Sequence, residues 1–173
     1  MGVAEVRYRS LMAAARDPQD IATLALGGVL SRFRLQRLRH DDIDRLFGRY
    51  FPGVPVHAEM PCRALQDTEF DDLLGLLLEH RRDDAEDTQW IAHAIVSACA
   101  GENHLWEDMG LPNRDTLSQL IRRYFPTLFY KNALNLKWKK FFYKQLCDRA
   151  EVRLCKAPSC GVCSDYAACF GGE

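Results

Sequence analysis

A chain of 173 residues, 47% of them hydrophobic, is long enough to bury a proper core and reads as one folded unit. Its formal charge of −1 gives no overall pull toward nucleic acid or a membrane surface. The longest apolar stretches, 24–30 and 73–78, are far too short to span a bilayer, and MGVAEVRYRS at the start holds no apolar signal-peptide core, so a cytoplasmic protein is expected.

Helical periodicity recurs along the chain, and sustained alternation is absent. Asp17-Pro18 sets an N-cap residue before a proline and predicts a helix running through about Arg37. Ile43, Leu46, Phe47 and Tyr50 recur at i, i+3, i+4, i+7. Phe70, Leu73, Leu74, Leu77 and Leu78 do the same behind Asp67-Thr68-Glu69, whose acids suit a helix start. Ile91, Ala94, Ile95 and Ala98 mark a further helix ending near Gly101, and Leu117, Leu120, Ile121 and Tyr124 mark the next. Pro52, Pro61, Pro112 and Pro126 punctuate these segments. The expected fold class is all-α: a helical bundle over residues 1–150, closed by an irregular cysteine-rich metal-binding loop over 151–173.

Two stretches, DDIDRLFGRYFP (41–52) and DTLSQLIRRYFP (115–126), share Asp, Leu and a terminal Arg-Tyr-Phe-Pro in register. One echo is too little for a solenoid, and coincidence and an old duplication both account for it. In LFYKNALNLKWKKFFYKQLC (128–147), a helical wheel gathers Leu134, Trp138, Phe141 and Phe142 on a broad apolar stripe and Leu136, Tyr143 and Cys147 on a narrower one. Lys137, Lys140 and Lys144 run between them, and all six lysines of the chain lie between Lys131 and Lys156. Lysine stems snorkelling from a buried helix explain this, and so does a basic face suited to an anionic cluster, an oxyanion or an acidic partner.

Seven cysteines in a reducing compartment point to metal ligation or thiol chemistry rather than a disulfide framework. Cys62 and Cys99 stand alone and are expected to be small buried hydrophobes. Four others fall within fifteen residues: Cys155, Cys160, Cys163 and Cys169, spaced C-x4-C-x2-C-x5-C. Spacers this short keep the four thiolates near enough to converge on one metal centre. Structural zinc sites usually pair their ligands in two short knuckles, whereas this staggered set is closer to iron–sulfur spacing. Three readings stay open on the residues alone: a cluster carrier, a [4Fe-4S] electron-transfer or DNA-repair-type protein, and a zinc-stapled interaction module. Endonuclease-III-type glycosylases also end in four cysteines, but with a longer first spacer, and no Gly-rich hairpin of their kind stands out here.

Beyond the cysteines, HLWEDMGL (104–111), RDTLSQL (114–120), YFP (124–126), LKWKKFFYKQLC (136–147) and CKAPSCGVCSDYAACFG (155–171) together resemble the NifQ family of nitrogen-fixation proteins. The resemblance implies an iron–sulfur protein that carries a molybdenum–iron–sulfur cluster and donates molybdenum for the iron–molybdenum cofactor of nitrogenase. It implies the NifEN scaffold and the nitrogenase iron protein as partners, a molybdate source, and Cys155, Cys160, Cys163 and Cys169 as ligands. No catalytic constellation is visible, so a carrier rather than a conventional enzyme is expected, with no nucleic-acid or membrane partner. Cys147 is expected to be buried beside the loop, His104 to be a hydrogen-bonded turn residue, and Glu107 and Asp108 to cap or face solvent. His40, His57, His80 and His93 lack ligand spacing.

Overall fold

The computed structural model describes residues 2–56 and 63–150, and every regular element among them is a helix. The order is α1 (Val3–Ala14), α2 (Ile21–Arg32), α3 (His40–Tyr50), α4 (Asp67–Glu79), α5 (Glu86–Ala98), α6 (Leu105–Asp108), α7 (Arg114–Tyr124), α8 (Pro126–Lys131) and α9 (Trp138–Ala150). The helical reading of 1–150 is thereby met for the described residues; the cysteine-rich stretch 151–173 lies outside them, as does Cys62. None of these helices is long and apolar enough to cross a membrane.

The core is built around α2 and α5. Ala22, Ala25, Leu26 and Val29 of α2 are wholly buried, as are Ile91, Ala94, Ile95 and Ala98 of α5. A helix apolar on all sides belongs in an interior, and α2 accordingly packs against α1, α5, α6 and α7. One buried cluster extends from Leu11 in α1 to Leu146 in α9.

Helix α2 is shorter than the sequence suggests. Asp17 spends its carboxylate on a local turn, accepting from the Gln19 N–H at 3.1 Å. Asp20 is the true cap, accepting from the Thr23 N–H at 3.1 Å. The helix ends at Arg32, where Phe33 turns extended at φ −130°, ψ 152°. The chain beyond Phe33 hooks onto α5: the Gln36 N–H donates to Ser97 Oγ at 3.1 Å, and Gln36 O accepts from His93 Nδ1 at 3.0 Å. Phe33 and Leu35 are buried by the same excursion, and Arg37 leaves it at φ 60°. Side-chain burial beyond the helix outweighs continuing its ladder.

The paired Arg-Tyr-Phe-Pro stretches adopt one local geometry. Helices α3 and α7 both stop at a phenylalanine with nearly identical dihedrals: φ −132°, ψ 59° at Phe51 and φ −135°, ψ 60° at Phe125. Each closes its last turn, Phe51 N–H to Phe47 O at 2.8 Å and Phe125 N–H to Ile121 O at 2.7 Å, and both rings are fully buried. The outcomes then diverge. Pro126 opens α8 as its first residue, whereas Pro52 leads into a turn with Gly53 at φ 83°.

Ion pairs tie the outer helices down. Arg49 of α3 lies over the Trp90 ring at 5.0 Å and pairs with Asp87 at 2.8 Å. Arg123 at the end of α7 reaches Asp20 at the start of α2, 2.9 Å away.

Candidate metal centre

The proposed ligands Cys155, Cys160, Cys163 and Cys169 all lie outside the described residues. What the structure places is the helix that leads to them and the surface around it. Among the described residues, no three His, Cys, Asp or Glu side chains are grouped to hold a metal ion.

Helix α9 is fixed at its start by aromatic packing. Trp138 stacks on Phe129 at 6.1 Å, meets Phe141 edge-on at 5.7 Å, and donates its indole N–H to Ser118 Oγ at 3.0 Å. Trp138, Phe141 and Phe142 are buried as the wheel suggested, but Leu134 is not on their stripe. It is 74% exposed, because the chain from Asn132 to Lys137 is a loop rather than helix. Asn132 clamps that loop, accepting from the Leu136 N–H at 2.8 Å and donating to Leu136 O at 2.9 Å. Arg114 donates to Asn135 O and Leu136 O at 3.1 and 2.8 Å, and Asn135 takes φ 53°. Two asparagines suited to turns interrupt the helical period here.

Farther along, α9 lies beside α4 in the same direction. The Tyr143 hydroxyl donates to Glu69 near the start of α4, and Arg149 pairs with Glu79 at its end. Burial and the neighbouring Glu69 carboxylate raise the Tyr143 phenol well above its ordinary range. Next to Glu79, His80 meets Thr127 Oγ1 through Nδ1 at 2.7 Å, while its buried Nε2 has no hydrogen-bond partner. Burial, with Lys131 and Arg149 nearby, lowers the His80 pKa. Helix α9, which precedes the four cysteines in sequence, is thus anchored at its start and along α4.

Beneath the start of α9 sits a buried ion pair that the sequence did not disclose. Lys139 Nζ lies 2.6 Å from Asp108 Oδ2 and donates to Gly101 O at 2.9 Å. Asp108 also accepts from the Asn103 backbone N–H at 3.1 Å and from Asn103 Nδ2 at 3.0 Å. Asp108, expected to cap or face solvent, is 4% exposed. A carboxylate this deep needs a cation and donors, and it has both. Gly101 is part of the arrangement, since a Cβ there would lie 2.2 Å from the Asp108 carboxylate. Glu107 caps as expected, accepting from the His104 N–H at 3.1 Å at the start of α6. Spacings of 31 and 74 residues for Lys139–Asp108 and Tyr143–Glu69 leave no periodic trace.

Two further cysteines are described. Cys99 is buried, and desolvation pushes its thiol up to about 12. That agrees with the expected structural role, since a thiol held protonated is a poor nucleophile and ligand. Cys147 on α9 is half-buried. The described histidines are scattered: His93 is held under the 33–36 excursion, and His40 begins α3; His57 lies outside the described residues.

Helices α6, α7 and α9 carry HLWEDMGL, RDTLSQL and LKWKKFFYKQLC, and the structure joins these stretches through the Lys139–Asp108 and Arg114–Leu136 bonds. A model of the NifQ family matches residues 20–171, a span that takes in all four tail cysteines. The chain belongs to the NifQ family.

Among its relatives, Protein NifQ of Azotobacter vinelandii is 45% identical over 105 residues, 61% of this chain and 54% of that protein. Protein NifQ of Rhodobacter capsulatus is 45% identical over 133 residues, covering 76% of this chain and 73% of the relative. A Protein NifQ homolog of Sinorhizobium fredii is 36% identical over 130 residues, covering 73% and 56%. The match thus spans about half the length of the Azotobacter and Sinorhizobium relatives. No solved structure matches the chain.

The donor set suits an iron–sulfur cluster or zinc. Four cysteines in fifteen residues supply soft thiolates, the ligand type that iron–sulfur clusters take, while the oxygen-rich sets preferred by magnesium or calcium are missing from that stretch. Arg149 at the described end of the stem is paired with Glu79, and Lys156 comes soon after it in sequence.

Proposed function

We propose that this chain binds an iron–sulfur cluster through Cys155, Cys160, Cys163 and Cys169, carries molybdenum in a molybdenum–iron–sulfur cluster, and donates that metal for the iron–molybdenum cofactor of nitrogenase. Its role lies in nitrogen fixation, in the processing of molybdenum. Molybdate is the source, the NifEN scaffold and the nitrogenase iron protein are the recipients, and the cytoplasm is the compartment. The chain acts as a carrier, with no conventional catalytic constellation of its own.

One observation carries this reading: the NifQ family match runs through residue 171 and includes the complete C-x4-C-x2-C-x5-C set. The cluster is cargo, and thiolates hold its iron. Molybdenum takes more ligands than tetrahedral iron does, so a four-thiolate set leaves its coordination incomplete and open to exchange. The rest of the chain supplies a rigid stem, with α9 held by Trp138 at one end and by the Glu69 and Glu79 contacts along its length.

Anaerobic purification followed by iron, sulfide and molybdenum quantification tests the proposal, comparing the full chain with Cys163→Ala. A brown wild type containing all three elements, and a variant depleted in them, is the expected result. Unchanged metal content in the variant overturns the assignment of the cysteines. A colourless, sulfide-free protein containing zinc points instead to a stapled interaction module. A stable four-iron cluster that cannot be transferred, together with salt-dependent DNA binding, points to a repair-type protein.

A further inference from the structure

The loop before α6 and the first turn of α9 enclose an open pocket of about 370 Å³. Its walls hold both acids and bases, and one acid of the two is matched by a cation. Glu102 pairs with Arg63 at 3.0 Å, and Glu107 accepts from the His104 N–H. Lys139 is likewise committed, to Asp108. Two cations are left over: neither Lys137 nor Lys140 forms an ion pair or side-chain hydrogen bond with another described residue.

These two lysines also stand where the backbone disfavours them. The first turn of α9 contains no acid, and cations there oppose the helix dipole. Lys144, farther along the same helix, has its own partner in Asp148 at 3.4 Å. Lys137 and Lys140 outnumber Glu107, whose bond is to a neutral N–H, so positive charge is in excess at this concave spot while the other cations of the helix are paired. Lysine ammonium groups are compact point charges suited to tetrahedral oxoanions.

We infer that this pocket binds a small tetrahedral oxodianion between Lys137 and Lys140, and, resting on the molybdenum-carrier reading above, that the anion is molybdate. The pocket would hold the metal as its oxoanion, at a place separate from the cysteine ligands. The two ammonium groups would neutralise the dianion, and its oxygens would accept their N–H bonds. Binding is simple association, with no bond made or broken.

The test uses the full chain and the double variant Lys137→Gln/Lys140→Gln. Equilibrium dialysis against molybdate, with molybdenum measured in the protein chamber, reads the affinity. The wild type binds molybdate and the double variant loses roughly tenfold or more in affinity, as expected for removing two charge-assisted contacts. Its thermal midpoint stays level or rises, because the lysines oppose the helix dipole. Equal binding by both proteins, or none by the wild type, overturns the site. Displacement by tungstate but not by equimolar sulfate assigns the pocket to molybdate; equal displacement by sulfate overturns that assignment. Wild type that ignores molybdate while the double variant alone loses capture of an acidic recipient protein makes the pocket a protein-docking surface, which also overturns the inference. Iron and sulfide measured in both proteins keep the two claims apart. If neither is present but molybdate still binds, the carrier reading fails and the oxoanion pocket stands.

Discussion

Lys139 reaches from α9 to Asp108 at the end of α6, placing its ammonium 2.6 Å from a carboxylate that is 4% exposed. Removing one partner of a buried pair leaves the other charge stranded, which costs more than the pair contributes. Lys139→Met is therefore expected to lower unfolding stability by about 3 kcal/mol. Lys144→Met, which breaks the exposed pair with Asp148, changes it by less than about 0.5 kcal/mol. Urea midpoints for the two variants check the contrast, and similar losses would contradict it.

Helix α2 touches the turn that follows α6, backbone to backbone, at Gly28. A Cβ there would lie 1.9 Å from Met109 O and 3.1 Å from the Cα of Gly110, whose φ is 66°. Neither atom is the end of a flexible side chain, so α2 and that turn must separate. Gly28→Ala is expected to cost about 3 kcal/mol, at the upper end of overpacking effects. Gly48→Ala in α3 and Gly75→Ala in α4 meet nothing within 4 Å and should stabilise by about 0.5–1 kcal/mol through helix propensity. Thermal midpoints moving in opposite directions bear this out.

Alkaline pH should destabilise the chain in two stages. The Cys99 thiol ordinarily titrates near 9.0, but burial holds it at about 12 in the folded state. Between those values the unfolded chain has lost the proton and the folded chain keeps it, so stability is complete below 9 and falls with rising pH. The slope approaches about 1.4 kcal/mol per pH unit for one such group. Above about 10, Tyr50, Tyr124 and Tyr143 add to the loss, all three being raised mainly by burial. Cys99→Ala removes the first stage and leaves the second. A variant whose stability between pH 9 and 10 falls as steeply as the wild type's contradicts this.

Loss on the acid side has a different source. Burial lowers the pKa of His93, whose Nδ1 is engaged with Gln36 O, and lowers that of His80 as well, so both histidines contribute. Folded and unfolded states differ in proton binding only as pH falls through the ordinary value of 6.5, below which the unfolded chain gains the proton first. Stability is therefore expected to begin dropping below about 6.5 and to drop less in His93→Gln. Denaturation midpoints from pH 7 to 5 measure it.

Helices with one clean apolar stripe were legible residue by residue. Leu46, Leu73, Leu77, Ile91, Ile95, Leu117 and Ile121, all placed inward by spacing, are buried. Helix α1 left no such trace: Val3 and Val6 are 71% and 51% exposed, and Leu11 is its one buried residue. The end of α2 and the exposure of Leu134 depended on what the adjoining loops could bind, a tertiary matter that periodicity does not encode. The burial of Asp108 leaves no sequence signal for the same reason, because its partner Lys139 lies on another helix. The tail cysteines are the reverse case, conspicuous in sequence and outside the described residues.

The most direct test of the central claim is X-ray absorption at the molybdenum edge on anaerobically loaded protein, wild type beside Cys160→Ser. The wild type is predicted to show sulfur and iron neighbours around molybdenum, and the variant to lose that pattern. Molybdenum surrounded by oxygen alone in the wild type, or a sulfur–iron shell unchanged in the variant, would contradict a cluster held by the tail cysteines.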